Sequence, residues 1–224
     1  MSHIDTELGQ LKEKLTEMWD LVEYQLQSGL EAFTTSNHEL ADKVIKLGKK
    51  VNRYDVKIDR MCENFIALRT PVAVDLRKVL AILRINANLE RIGDTTEGIS
   101  MFVKKLDSSL NTQLVEDTKA IIMYQEALEM MDQCRKAFLH DDTELAKVVI
   151  KRDKVLNKIY RKADVVAADY MKGNPEKTME GLMLYSILKK LERVGDQITN
   201  IAEEIIFYQN AKVVRHKAKK KKKD

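Results

Sequence analysis

Apolar residues recur at helical spacing along the chain. In one stretch they step by three, four or seven positions, at Ile82, Ile85, Leu89, Ile92, Ile99 and Val103. A later stretch has the same spacing, at Leu184, Ile187, Leu191, Val194, Ile198, Ile201 and Ile205. Such steps place side chains on one face of an α-helix, and the alternation that marks a strand is absent from the sequence. The pattern predicts an all-α protein.

Five polar or proline-containing segments interrupt the helical pattern, at 34–37, 69–71, 107–111, 140–143 and 172–175. Pro71 is expected in the first turn of a helix, where its missing N–H does no harm, and Pro175 is expected to open another. The breaks predict six helices, over 4–34, 38–68, 72–106, 112–139, 143–172 and 176–210. Each has about 30 residues and would be about 45 Å long.

The six predicted helices form two related sets of three. The hexapeptide LERIGD at 89–94 recurs as LERVGD at 191–196, and ELADKVIK at 39–46 matches ELAKVVIK at 144–151. The two matches keep their order at shifts of 102 and 105 residues, which indicates an internal duplication. We therefore expect two three-helix bundles, over 1–108 and 109–211, followed by a disordered tail over 212–224.

Composition and charge support a helical bundle and exclude some functions. The chain has only 8 Gly and 2 Pro, and 33% of its residues are charged. The last 13 residues carry seven Lys, one Arg and one Asp, so the net charge of +4 leaves the body at −3. A body of that sign argues against a nucleic-acid surface. The basic tail could bind anionic lipid or nucleic acid, or simply stay solvated.

The rest of the composition points to a cytoplasmic protein. Cys62 and Cys134 lack CxxC or metal-finger spacing and are expected to be free thiols. The first residues do not resemble a signal peptide, and no apolar run approaches the length of a membrane span.

The duplicated hexapeptide carries the candidate chemistry. Glu90 and Asp94 lie four residues apart, on one helix face, and Glu192 and Asp196 repeat this arrangement. Paired acids repel each other unless a cation lies between them. A glycine precedes each Asp, at a cost of about 1 kcal/mol relative to Ala within a helix. We therefore expect another helix or a ligand to approach closely there. Further polar residues extend the two faces: Glu97 in the first half, and Asn200 and Glu203 in the second.

The second helix of each half could supply further ligands. The second half offers Asp153 and Asn157, whereas the first half has Gly48 in place of the first of these and offers Asp55 and Asp59 instead. Oxygen ligands of this kind suit Mg²⁺, Ca²⁺, Mn²⁺ or iron. The alternative is two solvated acidic faces neutralised by the arginine of each hexapeptide.

The sequence resembles the PhoU family of bacterial phosphate signalling over residues 4 to about 210. The resemblance lies in the doubled hexapeptide, in the Asp-x-x-x-Asn run at 153–157 and in the VIKLGKKVN segment at 44–52. The resemblance implies two three-helix bundles, frequent homodimers, and metal ions such as iron, zinc, manganese or magnesium held by the acidic motifs. It carries metal-ligand roles to Glu90, Asp94, Glu192 and Asp196, and less directly to Asp153 and Asn157. Because Gly48 departs from the pattern, a first-half site is expected to be weaker or to recruit Asp55, Asp59 or Glu97.

The resemblance also implies a function. Members of the family repress the phosphate-starvation response when phosphate is plentiful, and they are thought to link the ATPase of a phosphate ABC transporter to a membrane sensor kinase. No organic cofactor is expected. An enzyme is disfavoured, because none of the four His lies three residues after a Glu and no nucleophile or nucleotide motif occurs. A helical adaptor that binds no metal stays open as the second interpretation.

Overall fold

The computed structural model describes residues 3–106 and 109–211, and the regular structure within these ranges is helical throughout. Its α-helices are α1 (His3–Thr35), α2 (His38–Arg69), α3 (Ala73–Lys104), α4 (Thr112–Asp117), α5 (Ala120–Leu139), α6 (Thr143–Gly173) and α7 (Thr178–Asn210). A 3₁₀ turn, Pro175–Lys177, precedes α7. The all-α prediction is confirmed, and the predicted tail, 212–224, lies outside the described residues.

The prediction of one continuous helix over 112–139 was wrong. The backbone leaves the helical conformation at Lys119, whose φ of 56° is left-handed, and this separates α4 from α5. Just before it, the Thr118 hydroxyl donates a hydrogen bond to the carbonyl of Leu114, one turn back, at 2.7 Å. Neither Gly nor Pro marks this break, so helical periodicity alone could not reveal it.

The turn between α2 and α3 also differs from the expectation. Thr70 is left-handed, with φ 45°, and ends α2, while α3 begins only at Ala73. Pro71 therefore lies before the helix rather than in its first turn. The predicted polar caps elsewhere are present: Asn37 accepts a hydrogen bond from the Leu40 amide, and Asp142 accepts from the Glu144 and Leu145 amides.

The helices pack in two layers. In the first layer α2, α3, α7 and α6 lie side by side in that order, and α1 and α5 pack across them. Helices α3 and α7 run antiparallel through the centre, because Arg84 contacts Glu204 near one end and Gly98 contacts Lys190 nearer the other. The tandem repeat thus places the two copies of the hexapeptide on the two central helices.

One continuous hydrophobic core joins the two halves. Trp19 of α1 is fully buried and stacks on Phe138 of α5, with ring centroids 5.6 Å apart. Within the described residues, no helix combines the length and the apolar character that a membrane span requires. Both cysteines are buried and free, as predicted.

Candidate functional site

The acidic face of the first half comprises Asp55 and Asp59 of α2 and Glu90, Asp94 and Glu97 of α3. The structure brings the two helices together through Asn86, one turn before Glu90. Its amide nitrogen donates hydrogen bonds to Asp55 Oδ1 at 2.8 Å and to Asp59 Oδ1 at 3.0 Å. This single amide holds both α2 carboxylates beside α3.

The carboxylates of this face disturb each other's protonation. Burial, the nearby charges of Asp94 and Asp55, and a hydrogen bond to Asp94 together raise the pKa of Glu90 to about 7. Burial and the neighbouring Asp59 likewise raise the pKa of Asp55, and burial and Asp94 raise that of Glu97. The face therefore favours a proton or another cation over bare negative charge.

The acidic face of the second half comprises Asp153 of α6 with Glu192 and Asp196 of α7. Burial, followed by the charges of Asp196 and Glu192, raises the pKa of Asp153 to about 6. Burial also raises the pKa of Glu192 and that of Asp196, although Asp196 as a whole residue is exposed. Asn157 donates a hydrogen bond to Asp153, which only partly offsets these effects.

The two hexapeptide glycines allow the close helix packing that the sequence predicts. A Cβ added to Gly195 would lie 2.7 Å from Leu156 Cδ2 and 2.9 Å from Asp153 Oδ1. A Cβ on Gly93 would lie 3.1 Å from Val51 Cγ1 of α2. Each glycine therefore seats the second helix of its half against the third, and Gly195 also positions the candidate ligand Asp153.

The missing acid at Gly48 is replaced by an acid from the neighbouring helix, which the sequence pattern did not predict. The Glu97 carboxylate, from α3, occupies the space that a side chain at position 48 would need. In the second half, Asp153 of α6 stands where the first half has Gly48, and its carboxylate lies beside Gly195. Thr199 of α7 stands where the first half has Glu97. The carboxylate between the second and third helices thus comes from the third helix in one half and from the second helix in the other.

Neutralisation of the faces by arginine, the alternative drawn from the sequence, does not account for them. Within residues 3–106 and 109–211, none of the carboxylates of the two faces forms an ion pair. Arg91 lowers the pKa of Glu90, but this is the smallest of the influences on that group. Arg193 and Lys189 likewise lower the pKa of Glu192, but burial and Asp196 raise it by more. The basic residues of the described chain therefore offset the negative charges of the faces only in part.

The faces fit a cation by their chemistry without forming a closed cage. Their donors are carboxylate oxygens, and two buried oxygens beside them, Asn86 Oδ1 and Asp153 Oδ1, have no hydrogen-bond partner. In the described part of the chain, however, no three His, Cys, Asp or Glu side chains converge closely enough to hold a metal ion alone. A cation bound here would need other ligands, such as water, to complete its coordination.

Some site residues were missed or placed wrongly from the sequence. Asn86 carries no motif; its only signal is its position four residues before Glu90. Asn200 was expected to extend the second acidic face, but its amide points across the centre of the molecule to Asn88 of α3, with nitrogen and oxygen 3.5 Å apart. Gly98, at the matching position in the first half, packs against Lys190 instead.

The buried thiols do not resemble nucleophiles. Burial raises the pKa of Cys62 to about 12, with smaller effects from Asp59 and Glu63, and burial also raises the pKa of Cys134. A thiol that stays protonated at neutral pH is a poor nucleophile and a poor metal ligand. The carboxylate faces therefore remain the candidate functional sites.

Comparisons with known proteins show which family has this sequence and this fold. The chain is 29% identical over 216 residues to the phosphate-specific transport system accessory protein PhoU homolog of Burkholderia sp, which covers 96% of this chain and 92% of that protein. It is 32% identical over 203 residues to the homolog of the same name from Zymomonas mobilis, covering 91% of this chain and 85% of that protein.

A solved structure has the same fold. The crystal structure of PhoU from Pseudomonas aeruginosa matches with a TM-score of 0.85 at 27% identity, and covers 94% of this chain and 100% of that chain. The profile of the PhoU domain matches twice, at residues 15–103 and 121–205. These matches span both copies of the internal repeat and most of the sequence, and the chain therefore belongs to the PhoU family.

Proposed function

We propose that this protein is an accessory regulator of a phosphate-specific transport system, without catalytic activity of its own. One observation carries this proposal: relatives that bear this name align with more than nine-tenths of the chain and with most of their own length. The regulator represses the phosphate-starvation response and phosphate uptake when phosphate is plentiful. It acts in the cytoplasm, as a homodimer, and couples the ATPase of the transporter to a membrane sensor kinase.

Cation binding to the two acidic faces is the second part of the proposal. The support is geometric: carboxylates of two packed helices lie together in each half, and two buried oxygens beside them, Asn86 Oδ1 and Asp153 Oδ1, have no hydrogen-bond partner. Burial, together with the charges of neighbouring acids, also raises the pKa values of Glu90 and Asp153. In the first half Glu90 and Asp94 hold the ion, with Asp55, Asp59 and Glu97 beside them. A hard ion such as Mg²⁺ or Mn²⁺ keeps several waters when one or two carboxylates bind it.

In the second half Glu192 and Asp196 hold the ion from α7, while Asp153 faces them from α6 and Asn157 orients Asp153. The ion neutralises charges that otherwise repel across the helix pair, so it fixes the relative position of α6 and α7. Partners then recognise a surface of defined shape and charge.

A metal-free helical adaptor is the competing function, and one observation favours it: no preformed three-ligand group exists in the described chain. An adaptor would contact its partner proteins through other surfaces, so it would not need the acid pairs. The two functions therefore differ in whether a folded protein that lacks an acid pair still represses.

Alkaline phosphatase activity in a deletion strain grown in excess phosphate tests the proposed function. We expect high activity without the gene and low activity when it is restored. Restoration with Glu192→Ala/Asp196→Ala should leave the activity high, although the variant accumulates as folded protein. Glu144→Ala, an exposed acid paired with Lys147, is the matched control and should repress normally.

Unchanged, low activity in the deletion strain would contradict the regulatory role. Full repression by the double variant would instead remove the acidic faces from the mechanism and support the metal-free adaptor.

A further inference from the structure

A cavity of about 160 Å³ opens between the two halves of the molecule, away from both acidic faces. Leu8 of α1, Ala81 and Ile82 of α3, and Phe138 of α5 form its apolar wall, and Tyr208 near the end of α7 closes one side. Because α1 and α3 belong to the first half and α5 and α7 to the second, a molecule in this cavity would contact both halves.

The polar rim of the cavity carries one more positive charge than negative. Lys12 donates a hydrogen bond to the Leu139 carbonyl at 3.2 Å and lies 3.7 Å from Asp141 Oδ1. Tyr208 donates to the same Asp141 oxygen at 2.5 Å. The side chain of Lys78 of α3, in contrast, is exposed to solvent, and within residues 3–106 and 109–211 it forms no hydrogen bond or ion pair. Lys12 and Asp141 thus balance each other, and Lys78 is left to attract an anion.

Gly9 of α1 lines the cavity and is exposed to solvent. It lies inside α1, where glycine costs about 1 kcal/mol relative to Ala, and a Cβ built on it would meet nothing within 4 Å. Gly93 and Gly195 are explained by close helix packing, but no neighbour explains Gly9. A large side chain at this position has room beside the cavity and would not strike another helix.

The cavity is open to solvent on one side, so its volume sets the size of the group that it can hold and not the size of the whole ligand. For comparison, an enclosed apolar cavity of about 150 Å³ holds benzene. An occupant of this size that matches both the wall and the rim has an apolar body and a single negative charge. A bare, strongly hydrated anion would leave the apolar wall without a partner.

We propose that this cavity binds a small organic monoanion, of the class of aromatic or branched-chain carboxylates, with its apolar body against Phe138 and Ile82 and its charge beside Lys78. Such a ligand bridges α1, α3 and α7 and ties the two halves together. The proposal does not depend on the regulatory function or on the acidic faces.

Titration of the full chain with benzoate, followed by tryptophan fluorescence, tests this proposal. Trp19 is the only tryptophan and stacks on Phe138, whose ring lines the cavity, so it reports on occupancy. We expect a saturable signal and a rise in the melting temperature, because a ligand that binds only the folded state stabilises it.

Three variants and one neutral analogue make the test specific. Gly9→Leu, which adds a large apolar side chain at the edge of the cavity and favours the helix, should weaken benzoate binding at least about tenfold without lowering the melting temperature. Lys78→Gln should weaken it about threefold, as expected for one partly exposed ion pair, and benzamide should bind more weakly than benzoate by a similar factor. Lys43→Gln, an exposed lysine on α2, is the matched control and should bind as the unchanged protein does.

Absence of a saturable signal with benzoate would overturn the proposal. Unchanged affinity in both Gly9→Leu and Lys78→Gln would also overturn it, by placing the ligand elsewhere. The same titration with inorganic phosphate tests whether the apolar wall matters. If phosphate binds saturably and Gly9→Leu weakens neither phosphate nor benzoate binding, the apolar wall has no role and the proposal is wrong.

Discussion

Gly195→Ala and Gly9→Ala should change the stability of the protein in opposite directions. Gly195→Ala is expected to lower the free energy of unfolding by about 1 kcal/mol, because the added Cβ lies 2.7 Å from Leu156 Cδ2 and 2.9 Å from Asp153 Oδ1, and displacing these packed side chains costs more than the helix gains in propensity. Gly9→Ala is expected to raise it by about 1 kcal/mol, because the helix gains propensity and the Cβ meets no atom. Urea unfolding of the two variants measures both changes.

The larger side chain of Gly195→Val should cost about 3 kcal/mol, since a branched residue must push α6 away from α7. The Gly9 variant is the control for helix propensity, because both glycines lie inside long helices. Equal stabilisation by both alanine substitutions would show that α6 does not approach Gly195 as closely as described.

Gly48→Asp is expected to destabilise the protein by about 2 kcal/mol, although it restores the acid that the other half has at the matching position. The new side chain would occupy the space of the Glu97 carboxylate and add a second negative charge to it. Adding Glu97→Thr to Gly48→Asp copies the arrangement of Asp153 and Thr199, and it should recover at least about 1 kcal/mol of the loss.

A double-mutant cycle of Gly48→Asp, Glu97→Thr and the combined variant measures this coupling by urea unfolding. Glu97→Thr alone supplies the correction for its own effect on α3. Additivity within about 0.5 kcal/mol would contradict direct competition of the two side chains for one space.

Much of the fold follows from periodicity and repetition. The apolar stripes and the polar caps locate most of the helices, since both signals act within a few residues of one another. The break at Lys119 escaped because it depends on a left-handed residue that is neither Gly nor Asn. Pro71 lies two residues before the start of α3, and not in its first turn, because the left-handed Thr70 turns the chain before α3 begins.

The candidate site could be predicted only in part from the sequence. Spacing of four residues places Glu90 beside Asp94, but it cannot show that Asn86 draws Asp55 and Asp59 to the same place. Gly48 and Glu97 lie on different helices, and the carboxylate of Glu97 fills the space beside Gly48. A comparison of the two repeats position by position shows only that position 48 lacks an acid, because it cannot show contacts between helices. Asn200 was misassigned because its direction depends on how α3 crosses α7.

Metal content after dialysis decides whether the acidic faces bind a cation. The protein would be stripped with a chelator, loaded with Mn²⁺, dialysed against metal-free buffer at neutral pH and analysed for bound manganese. We expect the unchanged protein to retain at least one Mn²⁺ per chain. Glu192→Ala/Asp196→Ala and Glu90→Ala/Asp94→Ala should each retain less, and Glu144→Ala should retain as much as the unchanged protein. Absence of stoichiometric manganese from the unchanged protein, or equal retention by the acid-pair variants, would contradict cation binding by the acidic faces.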